Sequence, residues 1–415
     1  MNHPPYTNQS LKRLLSALLL CLLLTTGRAQ ETYSLYPFIH SNLNRLYFSS
    51  DSSAFKNFYS KLDKLKEEKN ERITLVHMGG SHVQGGVWSN TFLSDFQNNN
   101  QTSGGGYFSF PYKIAKTNQQ PFVSSFSSGN WKKCRAVGKE FCLPLGMSAM
   151  NVSTNDSSLY FGLSLTIKAA CRSVNQIKVY HNFNPSFEFK LCLNDSFKVS
   201  RQDVKENEYS LFTFNYAIDS LCFQLIRNDT LQKDFVLYGF SLENTLNSGF
   251  YLAALGANGA TSSSFLRCAS LIPQLQSLQG DLFIISLGVN DTQSKSFEKE
   301  DYIENYDSLI GFIKKSNPEA CIILTTTTDN FIKRKTSNKR TITAREAMFE
   351  LMNKHQVAVW DLFSIMGGYK SMNKWFAKGL ASKDKVHFTN KGYTIVGNLM
   401  YDAVNKAYGN YKLKN

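Results

Sequence analysis

A chain of 415 residues with 42% hydrophobic and 19% charged residues can bury a large core, which excludes a disordered protein and leaves room for two compact units. Its formal charge of +14 favours polyanionic surroundings such as wall glycans, anionic lipid surfaces or nucleic acid. No basic helix interleaved with aromatic stacking platforms accompanies that charge, so no nucleic-acid partner is expected.

In chain order, Lys12 and Arg13 precede an apolar run from Leu14 to Leu24, with the small residues Gly27 and Ala29 just before Gln30. This pattern predicts a cleaved export signal over residues 1–29 and a periplasmic or extracellular protein, bacterial by preference. The run is short for a membrane span and no later stretch is longer, so no stable membrane insertion is expected after cleavage. Seven of the eight cysteines remain beyond the signal. An odd count predicts a free thiol, and only Cys134 and Cys142 are close enough in sequence to suggest a local bridge. The absence of tight Cys and His spacings predicts no metal site.

Phe55, Phe58, Leu62 and Leu65 recur at helical spacing in a helix predicted over 53–70. A strand over 73–78 then runs into Gly79-Gly80-Ser81 and a helix over 83–96. Between 104 and 247, short alternating segments separated by Asn, Asp, Ser or Gly predict six strands, at 160–169, 176–181, 186–193, 210–216, 220–227 and 234–242, and hence an inserted β-sandwich. From Gly249 helices and strands alternate, with helices predicted over 262–278, 302–315, 343–355 and 392–408 and strands over 282–287, 321–327 and 357–363. That rhythm implies a parallel sheet covered on both faces, with ligands bound beyond the carboxyl ends of its strands.

Four separated pieces then fall in one order: Gly79-Gly80-Ser81-His82, Asn258-Gly259-Ala260, Gly288-Val289-Asn290-Asp291 and Asp384-Lys385-Val386-His387. A serine on a glycine-relieved turn at a strand end is exposed above the sheet. His387 can take its proton, Asp384 three residues earlier can orient the imidazole, and the Ser81 and Gly259 amides with the Asn290 side chain can hold an oxyanion. His82 is read as a packing or pocket-lining residue and His77 as a strand residue.

These four pieces resemble the sequence blocks of the SGNH hydrolases, the GDSL-like esterases and lipases. The resemblance covers residues ~70–98 and ~249–410. It implies a three-layer α/β/α flavodoxin-like fold without a cofactor, with Ser81 as nucleophile, Asp384 and His387 completing the triad, and Ser81, Gly259 and Asn290 forming the oxyanion hole. Gly80 stands where the family usually has aspartate, a departure expected to affect the turn more than the chemistry. The layout is most similar to bacterial peptidoglycan O-acetylesterases, whose catalytic domain is interrupted by a carbohydrate-binding-like sandwich. It implies hydrolase parts at 30–98 and 249–415, an insert at 104–247 and an acylated glycan as substrate. Trp131, the only tryptophan in the insert, is read as a core or interface residue ahead of a sugar-stacking platform. Lys333, Arg334, Lys335, Lys339 and Arg340 follow the strand ending near Thr328. Such a run is commonly a solvated face; the alternative is recognition of an acidic glycan.

The expected protein is therefore an exported serine esterase that removes acyl groups, acetate above all, from a glycan such as peptidoglycan. An acyltransferase to a sugar hydroxyl and a catalytically silent glycan-binding scaffold are the alternatives.

Overall fold

The computed structural model describes residues 35–102, 104–138, 144–165, 174–192, 198–246 and 248–414. The expected export signal at 1–29 lies outside them. No helix among the described residues is long and apolar enough to cross a membrane.

A 13-stranded sheet organises the molecule. Its parallel part runs Ala358–Trp360, Cys321–Thr325, Leu282–Ser286, Arg72–Gly79, Gly249–Gly256 and Gly105–Ser109, with Leu46–Tyr47 antiparallel at the outer edge. These strands are apolar at nearly every position, as burial on both faces requires; all of Gly249–Gly256 and all but Arg72 of Arg72–Gly79 are buried. Helices cover the sheet in two groups. Lys56–Glu68, Val87–Asn100 and Asn390–Lys412 pack together through Phe58 on Phe96, Phe96 on Tyr401 and Tyr59 on Tyr408. Leu271–Leu278, Lys299–Ser316 and Arg340–His355 form the other group. This is the α/β/α arrangement expected from the alternating rhythm.

Two predicted helices are interrupted. The one expected over 83–96 is split into Ser81–Gln84 and Val87–Asn100, because Gly86 takes φ +79, a left-handed conformation that ends the first segment. The one expected over 262–278 becomes a short 3-10 turn at Phe265–Arg267, an extended Cys268 and a helix from Leu271. Pro273, which lacks an amide proton, is tolerated in that helix's first turn but would break a helix running through it.

The strand-rich region makes a sandwich whose layers have different origins. Val123–Ser127, Ser158–Leu165, Ser220–Arg227 and Phe187–Leu191 form a separate four-stranded sheet. The facing layer, Phe235–Glu243, Val174–His181, Tyr209–Ile218 and Val199–Val204 with Met150–Thr154 and Lys132–Arg135 branching off, is an antiparallel arm of the main sheet. The join is Gly105–Ser109, which pairs parallel with Gly249–Gly256 and antiparallel with Phe235–Glu243. Phe161, Phe189, Phe223, Phe212 and Phe235 fill the space between the layers, with ring centroids 5.2–6.0 Å apart in contacting pairs. Cys134 is disulfide-bonded, and Cys142 lies outside the described residues. Cys192, Cys222, Cys268 and Cys321 are free thiols.

Candidate active site

The parallel strands deliver their carboxyl ends to one rim, and all four sequence pieces stand there. The strand Arg72–Gly79 turns directly into the helix Ser81–Gln84. A side chain at Gly79 would fall 2.5 Å from Val83 Cγ2 and 2.9 Å from the Ser286 carbonyl, so only glycine allows the turn to close this tightly.

Ser81 Oγ lies 2.7 Å from His387 Nε2, although 306 residues separate them. On the other side of the ring, His387 Nδ1 is 2.8 Å from Asp384 Oδ2. Asp384 is fixed in turn, its Oδ1 accepting the backbone amides of Val386 at 2.9 Å and His387 at 3.0 Å. Partial burial would raise the Asp384 pKa, but the His387 ring and these two amides outweigh it and hold the carboxyl below its ordinary range. The loop is closed by Ser382 N–H donating to the His387 carbonyl at 2.8 Å and by the bridge between Ala381 and Phe388. Thr389 then caps the helix Asn390–Lys412 by accepting from the Gly392 amide.

The second and third pieces meet the first at Gly80. A Cβ there would stand 3.2 Å from Asn290 Nδ2 and 3.5 Å from the Ala260 carbonyl. Asn290 Nδ2 donates to that carbonyl at 2.8 Å, which uses one of its two protons. Gly259 takes φ +86 in a turn closed by Ala260 N–H donating to the Ala257 carbonyl, a glycine position of a type II turn. Among the described residues, no backbone carbonyl accepts the amides of Ser81 or Gly259. Five predicted site residues, Ser81, Gly259, Asn290, Asp384 and His387, are thus brought to one rim.

Supporting contacts were not legible beforehand. Buried Gln84 accepts the Asn258 amide at 2.7 Å and donates to Asn118 Oδ1 at 2.7 Å, tying the Gly259 loop to the residues that lead into the strand-rich region. Arg135 donates to the Asn258 carbonyl at 3.1 Å. Half-buried Asp291 accepts the Ser262 amide and hydroxyl at 2.9 and 2.6 Å, locking the second piece to the third; desolvation raises its pKa. None of these has a sequence signature, since each depends on a partner remote in the chain.

His82 packs against His387 with ring centroids 5.1 Å apart, and its Nδ1 is 3.0 Å from the Tyr393 hydroxyl. Burial, then the neighbouring His387, lowers its pKa to about 3, so it stays neutral. His77 is buried in its strand between Ser89 Oγ and Ser286 Oγ, each at 2.8 Å. Trp131 packs edge-on to Phe161 and donates to Ser127 Oγ at 2.7 Å. It also lines a groove of about 430 Å³ with Lys113, Lys116 and Phe126. No group of three His, Cys, Asp or Glu residues suited to a metal occurs among the described residues.

Residues 232–395 match the model of the GDSL-like Lipase/Acylhydrolase family. That range contains Gly259, Asn290, Asp384 and His387; Ser81 precedes it. No curated protein matches the chain. Among solved structures, a peptidoglycan O-acetylesterase is similar over 88% of this chain and 99% of its own, with a TM-score of 0.72 and 18% identity. A lipase/acylhydrolase from Enterococcus faecalis is similar over 38% of this chain and 77% of its own, with a TM-score of 0.32 and 21% identity. The chain therefore carries a GDSL-like lipase/acylhydrolase domain, that of an ester-bond hydrolase, on a fold like that of a peptidoglycan O-acetylesterase.

Proposed function

We propose that this protein is an exported serine esterase that removes O-acetyl groups from an extracytoplasmic glycan such as peptidoglycan, with Ser81, His387 and Asp384 as its triad. The observation that carries the reading is the relay of two hydrogen bonds, 2.7 Å from Ser81 to His387 and 2.8 Å from His387 to Asp384. His387 Nε2 takes the Ser81 proton as Oγ bonds to the acetyl carbon, and Asp384 holds the ring in the tautomer this requires. The carbonyl oxygen becomes an oxyanion facing the amides of Ser81 and Gly259 and the second proton of Asn290 Nδ2. As the C–O bond breaks, His387 protonates the departing sugar oxygen and leaves an acetyl-enzyme. Water, deprotonated by the same imidazole, then releases acetate and restores Ser81.

In this reading residues 30–98 and 249–415 form the hydrolase and 104–247 an inserted glycan-contacting domain, with the Trp131 groove as its candidate surface. The test is acetate release by one preparation from acetylated peptidoglycan, acetylated xylan and an aryl acetate, with Ser81→Ala as blank. Preference for an acetylated polymer is expected. Turnover of the aryl ester alone would remove the glycan assignment.

A further inference from the structure

Lys333, Arg334 and Lys335 form the tip of a hairpin in which Phe331–Ile332 pairs with Thr336–Ser337. Lys333 and Arg334 take φ +48 and +64, consecutive left-handed residues that turn the chain tightly and hold the three side chains in solvent. The base of the hairpin is bonded to two parts of the active site. Phe331 N–H donates to the Lys385 carbonyl at 3.1 Å, beside Asp384 and two residues from His387. Gln293 Nε2, on the helix that carries Asn290, donates to Asn330 Oδ1 at 2.7 Å, and Asn338 Nδ2 donates to the Thr292 carbonyl at 3.0 Å. The tip stands two residues beyond Phe331, about 7 Å of extended chain.

The surrounding charge is one-sided. Residues 331–340 and 369–391 together hold eleven lysines and arginines and a single carboxylate, Asp384, which is committed to His387. The two segments touch, since the Tyr369 hydroxyl donates to the Ser337 carbonyl and the Lys385 ammonium lies 4.8 Å from the Phe331 ring centroid. Asp329, just before the hairpin, is fully buried with Oδ2 accepting the Met372 amide at 2.8 Å, and so offers the tip no counter-charge. No described ion pair includes Lys333, Arg334 or Lys335. Crowding like charges opposes folding and adds nothing to the core, while a positive rim raises the local concentration of an anionic substrate.

We propose that this hairpin is a specificity site that receives the carboxylates of an anionic glycan, so that the preferred substrate is an acetylated polymer bearing a carboxylate near each scissile ester. The inference rests on the esterase reading above. It is tested with the combined variant Lys333→Asn, Arg334→Asn and Lys335→Ser, because asparagine tolerates the left-handed turn. The substrates are acetylated peptidoglycan, the same polymer with its carboxylates amidated, and 4-nitrophenyl acetate. Wild-type kcat/KM is expected to be about tenfold higher on the native than on the amidated polymer and to fall with added salt, as a screened attraction must. The variant should lose that factor through KM on the native polymer and keep full activity on the aryl ester. Equal activity on native and amidated polymer, or equal losses on all three substrates, would overturn the proposal. Cosedimentation of Ser81→Ala protein, with and without the tip changes, with native and amidated polymer reads the rim independently of turnover. Binding unaffected by either the tip or the amidation would refute the rim even if esterase activity stands, whereas charge-dependent binding would support it even if no polymer is turned over.

Discussion

In the parallel part of the main sheet every strand ends at the same rim, so Gly79, Gly256, Ser286 and Thr325 each hand a loop to one place. In the antiparallel arm successive strands end at opposite edges, so its loops are divided between the two ends. The space between the arm and the separate four-stranded sheet instead concentrates aromatic packing, with Phe161 touching Phe189, Phe223, Phe235 and Phe240. Parallel strand direction thus gathers the reactive groups at one rim, while the strand-rich region contributes an aromatic-packed sandwich beside it. The two regions are joined by many polar contacts, among them Arg135 on the Asn258 carbonyl, Gln274 on Glu208 and Arg72 on Glu243.

Substitutions that separate these roles sharpen the contrast. The largest effect is expected on the parallel side: Ser81→Ala should lower ester hydrolysis by at least ~10³-fold without changing the melting temperature. Steady-state rates paired with thermal unfolding check this. Asn290→Ala should cost about 10²–10³-fold in kcat, the range for one oxyanion donor, with little change in KM. Phe161→Ala in the four-stranded sheet that packs on the arm should do the reverse, destabilising the fold by about 3–5 kcal/mol in denaturant titration while active-site chemistry in the folded fraction is kept.

The junction has its own signature. Burial would raise the Glu243 pKa, but Arg72 at 2.7 Å and Lys178 at 3.1 Å outweigh it and hold the carboxyl at about 2. Because the folded value is depressed below the ordinary glutamate value of about 4.3, this group's stabilisation is complete above that pH and is lost as pH falls toward about 2. Glu243→Gln should cost about 3 kcal/mol at neutral pH and flatten the acid-unfolding curve between those limits. The smallest effect is expected at the turn: Gly80→Asp places a Cβ 3.2 Å from Asn290 Nδ2, so kcat should fall by a few-fold as the amide shifts.

The site was legible because its signals are local: Asp384 and His387 lie three residues apart, Ser81 follows two glycines, and Gly288 opens the turn to Asn290. The fusion of the strand-rich region with the main sheet was not legible, because alternation identifies a strand but not its partner. Nothing in Gly105–Ser109 announces that it pairs with Gly249–Gly256, 140 or more residues away. Gln84 carries no signal of its own, and Asp291 stands in the third piece without one for its partner Ser262, since the importance of both lies in the loops they hold. The helix breaks at Gly86 and before Pro273 were readable as residues but lost within apolar periodicity.

Covalent labelling with a fluorophosphonate followed by peptide mapping reads whether Ser81 is the nucleophile that His387 activates. A single adduct on Ser81 is expected, absent in Ser81→Ala and formed far more slowly in His387→Ala. Labelling or ester hydrolysis that persists undiminished in Ser81→Ala would contradict the account.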